Sequence, residues 1–309
     1  MTLAIELKNV VKEYPGIVAL DGVDLEVKKG SIHGFLGPNG AGKSTTMSII
    51  AGLIPPTSGE VRVSGIDALK DQKALRSMIG ILPETPPLYM NMLVRDYLQF
   101  CQKINLKRED ASENVDEIIE KCGLGEVAGR LIGNLSKGYK QRVGVAQALV
   151  YGADTIILDE PTIGLDPNAI SEMRSLILEL KKEHTILLST HQLHEVARIC
   201  DEITIINKGK ILKTGTLVEV QSEFSSVKTY EFIHQNFSED IKKYLISKDY
   251  VSGVDTLNIQ EDQKTVRIHI NSNLDHRAEL LSYLSREGGL LEFWERKLEL
   301  EEIFKQVVK

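Results

Sequence analysis

Nine consecutive residues, Gly37-Pro38-Asn39-Gly40-Ala41-Gly42-Lys43-Ser44-Thr45, satisfy the spacing G-x-x-x-x-G-K-[ST]. The glycines allow the backbone to curl so that successive N–H groups face inward at phosphate oxygens, and a helix opening at the end of the run adds its positive N-terminal end. In such a cradle Lys43 sits on the β- and γ-phosphates as a point charge, and the Ser44 hydroxyl is a ligand for Mg²⁺. A second set of chemistry-bearing residues closes the apolar run Thr155-Ile-Ile-Leu-Asp159-Glu160. An acid at the end of a buried strand is where a P-loop fold places its Mg²⁺ contact, so Asp159 is expected on the metal side. Glu160, next in sequence, faces the other way and can polarise the attacking water as a general base. Two adjacent carboxylates could instead cap the following helix; the phosphate cradle upstream favours the catalytic reading.

These groups need elements to hold them. Ser31–Leu36 reads as a short apolar strand feeding the Gly-rich turn, and Thr45–Leu53 as a helix stopped by Ile54-Pro55-Pro56. Before it, the alternation of Ile5, Leu7, Val18, Leu20, Val23, Leu25 and Val27 predicts half-buried antiparallel strands. Residues 92–129 look mainly helical. From 155 the pattern is strand, helix (168–182), strand (TILLST), helix (HEVARIC), then a hairpin turning at Asn207-Lys208-Gly209. Beyond about 222 the order strand, helix, strand, strand, helix, strand predicts a βαββαβ unit of split-βαβ type. Leu300, Ile303, Phe304, Val307 and Val308 then form one apolar helical stripe, suited to packing on its own domain or to a partner contact.

Composition narrows the class. A chain of 309 residues carries 37 Lys+Arg against 44 Asp+Glu, a net charge of −7, which argues against holding nucleic acid by bulk positive charge. No apolar run approaches the ~18 residues of a membrane helix, and the N-terminus lacks the features of a signal peptide. Cys101, Cys122 and Cys200 are odd in number and widely spaced, which suits a reducing compartment and buried thiols rather than disulfides.

Between the two acidic and phosphate sites stands Leu135-Ser136-Lys137-Gly138-Tyr139-Lys140-Gln141-Arg142, and with it the sequence resembles the ABC ATPase family. The segment is similar to the family's LSGGQ signature, Gly164-Leu-Asp166-Pro167 to its D-loop, and His191 after TILLST to its switch histidine. Tyr14 stands where the family stacks an aromatic ring on adenine. Lys137 and Tyr139 depart from the usual Gly and Gln, and Glu84, in Ile79-Gly-Ile-Leu-Pro83-Glu84, replaces a usual Gln. The last departure, with a C-terminal extension ending near Leu300-Glu-Glu-Ile-Phe304, resembles the ABC-2 type of bacterial exporter ATPases. The resemblance implies an α/β fold: an ABC-type P-loop NTPase with an antiparallel β subdomain, a RecA-like core and a helical subdomain (about 86–150) over residues 1–222. A small α+β, ferredoxin-like accessory domain would follow over 223–309. It further implies ATP and Mg²⁺ held between two copies, with Ser136, Lys137, Gly138 and Tyr139 reaching the other copy's phosphates and Asp166 bridging the subunits. Glu84 would join Ser44 and Asp159 at the metal, Glu160 would activate water, and His191 would act on the transferred phosphoryl group. The expected partners are a transmembrane permease and a second copy of the chain, with no nucleic acid, at the inner face of the cell membrane. A soluble ABC ATPase acting on ribosomes or nucleic acid is the alternative.

The remaining candidates have plainer readings. His191-x-x-His194-Glu195 inverts the order of a zinc-protease motif, leaving His194 as a helix-surface residue, and Trp294 is expected in a core.

Overall fold

Alternating burial defines the first hairpin. β1 (Leu3–Tyr14) and β2 (Ile17–Lys28) pair antiparallel with Ile5, Leu7, Val10, Leu20, Val23, Leu25 and Val27 all buried. The computed structural model describes residues 2–104, 114–190, 193–224, 228–260, 263–271, 275–296 and 304. β3 (Ile32–Leu36) follows, every residue buried, and leads through the Gly-rich turn into α1 (Lys43–Ile50). β4 (Ser58–Val63) and β5 (Ile66–Asp67) complete an antiparallel sheet of order β2-β1-β4-β5. Next come α2 (Gln72–Met78), β6 (Ile79–Leu82), α3 (Val94–Ile104), α4 (Val115–Lys121) and α5 (Lys137–Leu149). β7 (Thr155–Asp159), α6 (Pro167–Leu180), β8 (Thr185–Thr190), α7 (Leu193–Ile199), β9 (Glu202–Asn207) and β10 (Lys210–Gly215) finish the larger unit, and α8 (Leu217–Phe224) begins at its boundary.

The second sheet has the order β10-β9-β3-β8-β7-β6, parallel except for the β9–β10 hairpin. Parallel strands bury both faces and so read as continuous apolar runs. Ile156, Leu158, Ile186 and Leu188 enter the core shared with α3–α6, whereas Ile157 and Leu187 enter the one shared with α1 and the first sheet. The carboxyl ends of β3, β8 and β7 therefore open side by side, the position where α/β sheets bind ligands.

The chain folds as two compact units, one of Met1–Leu217 together with Phe304 and one of Val218–Ile303. In the second, β11 (Lys228–His234), α9 (Glu239–Ile246), β12 (Val251–Gln260), β13 (Gln263–Ile270), α10 (Arg277–Arg286) and β14 (Leu290–Arg296) form an antiparallel sheet of order β12-β13-β11-β14. Tyr230, Phe232, Val266, Ile268, Leu245 and Leu284 centre its core.

Several expectations need correction. The helix expected at Thr45–Leu53 is Lys43–Ile50, because Gly52 turns into the left-handed region (φ 65°). β4, β5 and α2 were not foreseen: β4 buries only Val61 and Val63, too short an alternation to stand out without its partner β1. Trp294 is not in a core. It lies on the edge strand β14, opposite Glu231 and 36% exposed, while its neighbour Phe293 stacks on Tyr230. Of the C-terminal apolar stripe, Leu300, Ile303, Val307 and Val308 lie outside the described residues.

Two features position the site directly. At Gly80 on β6 a Cβ would stand 2.2 Å from the Ala148 carbonyl oxygen, and at Gly144 on α5 one would stand 2.4 Å from Leu82 Cδ1. This glycine contact sets how closely α5, the helix opened by Ser136, approaches the sheet. Gly80→Ala should therefore destabilise the larger unit by about 1–3 kcal/mol through overpacking; an unchanged melting temperature in calorimetry would show that the contact is not close. On β3, His33 is fully buried, its Nε2 2.8 Å from Thr204 Oγ1, and burial pushes its imidazole down to about 4. The folded state thus holds His33 neutral, and its stability falls with decreasing pH through the window from the unfolded value of 6.5 to about 4. Between pH 7 and 4.5 the wild type should lose about 2–3 kcal/mol more than His33→Gln in urea titrations. Equal losses would show that His33 carries no linked proton.

Candidate functional site

The turn after β3 takes its shape from its glycines. Gly40 (φ 77°) and Gly42 (φ 111°) occupy the left-handed region. At Gly37 a Cβ would stand 2.5 Å from the Ile206 carbonyl oxygen, so the loop lies directly against β9. Gly42 opens α1 without any side-chain cap, which leaves the first helical N–H groups available to a ligand. Ala41 N–H donates to the Pro38 carbonyl (3.1 Å), and the Gly209 N–H donates to the Ala41 carbonyl (2.9 Å), pinning the loop to the β9–β10 turn. Lys43 is buried, and its Nζ donates to the carbonyls of Gly37 (2.8 Å) and Pro38 (3.2 Å).

The acids come from the neighbouring strand ends. Asp159 ends β7 and accepts a hydrogen bond from Ser189 Oγ on β8. Glu160 is buried and left-handed (φ 51°), with its N–H donating to the Ser189 carbonyl (3.1 Å) and Oγ (3.2 Å). A glutamate in that region is strained backbone, the kind that persists where the surroundings over-determine it. Neither acid caps the next helix, since α6 is capped by Asp166, whose Oδ1 accepts from the N–H groups of Asn168 and Ala169 (both 3.0 Å).

A cavity of about 540 Å³ joins these parts. Asn39, Gly40, Gly42, Lys43, Ser44, Thr45, Glu84, Asp159 and Glu160 line it, together with Ile17, Val18, Ala19, Lys208 and Gly209. Burial pushes the Lys43 ammonium down, while the carboxylates of Glu160, Asp159 and Glu84 draw it back up. The cleft thus sets the desolvated cation of Lys43 among three acids and two hydroxyl side chains, with Lys208 and an apolar rim also in its lining. Such a setting suits a polyanion carrying a divalent cation better than a neutral ligand.

Other expected residues lie elsewhere. Ser136 caps α5 by accepting from Tyr139 N–H (3.3 Å), with Lys137 and Gly138 in the first turn. None of these four lines the cavity. They face instead the start of α6: a Cβ at Gly138 would stand 3.1 Å from Ala169 Cβ, and one at Gly164 would stand 2.5 Å from Lys137 Nζ. The Tyr139 ring lies under the Arg142 guanidinium, which pairs with Glu172. Tyr14 ends β1, 43% exposed beneath Lys12 Nζ (5.1 Å), outside the cavity lining but beside Ile17 across the turn. His191 lies outside the described residues, as does the side chain of His194.

Sequence reasoning missed three participants. Ser189, in TILLST, orients Asp159, and its polar type inside an otherwise apolar run was the available signal. Gln141, buried in α5, donates Nε2 to the Glu84 carbonyl (3.2 Å), tying the helix opened by Ser136 to the cavity's edge. Lys208, in the sequence, reads only as turn chemistry, and it lines the cavity.

The sequence matches the family profile described as ABC transporter over residues 20–163. It is similar to the bacitracin transport ATP-binding protein BcrA of Bacillus licheniformis, 41% identical over 216 residues, 69% of this chain and 70% of that one. It is also 34% identical to the uncharacterised ABC transporter ATP-binding protein YxlF of Bacillus subtilis, over 98% of this chain and 99% of that one. Among solved structures it resembles an ATP-binding cassette captured as a dimer in a post-hydrolysis state with ADP and Pi. The TM-score is 0.61 and the identity 27%, covering 69% of this chain and 98% of that one. With cradle, paired acids and signature helix assembled on this fold, the chain belongs to the ABC transporter family, as an ATP-binding subunit with ATPase activity.

Proposed function

We propose that two copies of the chain enclose ATP and use its hydrolysis to drive an ABC-2-type membrane exporter whose permease is a separate polypeptide. The observation that carries this reading is the division of the chemistry within one copy. The cavity holds Lys43, Glu84, Asp159 and Glu160, while Ser136, Lys137, Gly138 and Tyr139 lie outside it. A cap hydroxyl and a helix N-terminus built for anions then find their phosphate on another copy. The dimeric cassette with ADP and Pi supports that arrangement.

Within the site, residues 37–45 bind the phosphates, with Lys43 exchanging its two loop carbonyls for β- and γ-oxygens. Tyr14, exposed beside the apolar rim, stacks on adenine. Ser44, Asp159 and Glu84 are oxygen donors suited to Mg²⁺, which takes one or two carboxylates plus phosphates and water rather than a full protein cage. Held by these three residues, Mg²⁺ would supply neutralisation of the negative charge on the phosphates. Glu160, anchored through its backbone to Ser189, accepts the proton of the attacking water; His191 assists the transferred phosphoryl group, and Asp166 contacts the second copy.

Among the described residues no helix is long and apolar enough to cross a membrane, so the translocation path belongs to the permease. Tyr89, Met90, Phe100 and Leu131, exposed around α3, form the docking surface for it, on the inner face of the membrane. Similarity to a bacitracin transport protein supports membership of the exporter subgroup. We assign residues 1–222 to the ATPase domain and 223–309 to an accessory domain of ferredoxin-like type. The antiparallel order β12-β13-β11-β14, with α9 after β11 and α10 after β13, supports that fold assignment.

Glu160→Gln should keep ATP binding and slow turnover of the permease complex by roughly 10²- to 10⁴-fold, the range for loss of a general base. Turnover near wild type would remove Glu160 from that role. In light scattering the same variant should be dimeric with saturating Mg-ATP, and a monomer would count against the shared site.

A further inference from the structure

Among the described residues four non-glycine positions have φ in the left-handed region: Asn9, Ser64, Glu160 and Lys208. Asparagine tolerates that conformation, whereas a serine, glutamate or lysine gains nothing from it. Glu160 and Lys208 are also the two of the four that line the nucleotide cavity. Lys208 and Gly209 are the two loop residues between the paired Asn207 and Lys210, with φ of 47° and 76°. Positive φ at both positions is the signature of a type I′ turn, for which Asn-Gly is the favoured sequence. The chain places lysine where asparagine would fold better, and a local rule broken at a cavity wall points to function.

The surroundings say which function. Gly209 N–H is bonded to the Ala41 carbonyl, and Gly209 carbonyl accepts from Asp21 N–H (both 2.9 Å), so the turn is held rigidly against the phosphate loop. A Cβ at Gly209 would stand 2.7 Å from the Ala19 carbonyl oxygen, so the second turn position has no room for a side chain and the cation can stand only at the first. Lys210 is committed to Asp21 (3.0 Å), while no ion pair of Lys208 is present among the described residues. The remaining charged groups of the cavity are Lys43 and three acids, so Lys208 is its second cation.

We propose that Lys208 is a nucleotide-binding residue: its ammonium engages the polyphosphate of ATP from the β9–β10 turn, outside the curl occupied by Lys43. The assignment rests on the cavity being the nucleotide site. Its function is charge attraction, so arginine preserves it, neutral residues weaken it and salt screens it.

The test is a set of substitutions in the full chain, with Kd for ATP measured at low and high salt and melting temperature measured without nucleotide. Lys208→Asn creates the preferred Asn-Gly turn, so the melting temperature should rise or hold while Kd for ATP weakens roughly three- to fivefold. Lys208→Glu should weaken it by roughly tenfold or more at low salt and less at high salt, and Lys208→Arg should stay within about twofold of wild type. A purely structural turn residue gives the opposite split, with Lys208→Asn binding ATP as well as or better than wild type. That result, or a Lys208→Glu protein with wild-type affinity, overturns the proposal. Lys43→Ala is the control: if it too leaves ATP affinity unchanged, the site reading itself fails, whereas loss of binding there alone confines the failure to Lys208.

Discussion

A buried ammonium that must be kept charged organises this molecule. Lys43 sits out of water, where an ammonium is unfavourable, and is tolerated because two loop carbonyls accept its protons and three carboxylates surround it. Those five partners come from three pieces of chain: the loop after β3 (Gly37, Pro38), the end of β7 (Asp159, Glu160) and the segment after β6 (Glu84). The sheet gathers them by setting β3, β8, β7 and β6 side by side in that order. In the proposed site, phosphate oxygens would replace the loop carbonyls without leaving the cation unpaired.

The helix beginning at Lys137 links that cleft to the rest of the larger unit. Its N-terminus is capped by Ser136, its body approaches β6 through Gly80 and Gly144, and its Gln141 holds the backbone of Glu84. That hydrogen bond ties the helix to a residue of the cavity wall. A smaller cavity of about 200 Å³ lies along this connection, lined by Glu84, Pro86, Leu88, Lys137 and Gln141 among others.

Much of this was legible in the sequence because it depends on local rules. The phosphate loop needs glycines at set intervals, β3 and β7 are uninterrupted apolar runs, and Ser136 and Asp166 are cap residues preceding helices, one of them with proline at its first position. What was hidden depends on long-range pairing. β4 has no independent signature until β1 lies beside it, and Ser189 acquires its role only from the parallel register that sets it opposite Asp159. Trp294 reads as core because tryptophan more often packs than binds, whereas position on an edge strand decides its exposure. Lys208 looked like turn chemistry because its strain and its place in the cavity are properties of the folded backbone.

Whether the phosphate loop of one copy meets the signature helix of another can be measured by proximity. Asn39→Cys and Lys137→Cys chains, each otherwise full length with Cys101, Cys122 and Cys200 replaced by alanine, would be mixed and treated with a short bis-maleimide. A shared site predicts cross-linked dimers joining Asn39→Cys to Lys137→Cys chains, formed with Mg²⁺ and a non-hydrolysable ATP analogue and lost without nucleotide. Nucleotide-saturated chains that stay uncross-linked, or a doubly substituted chain that cross-links only to itself, would contradict a site built from two copies.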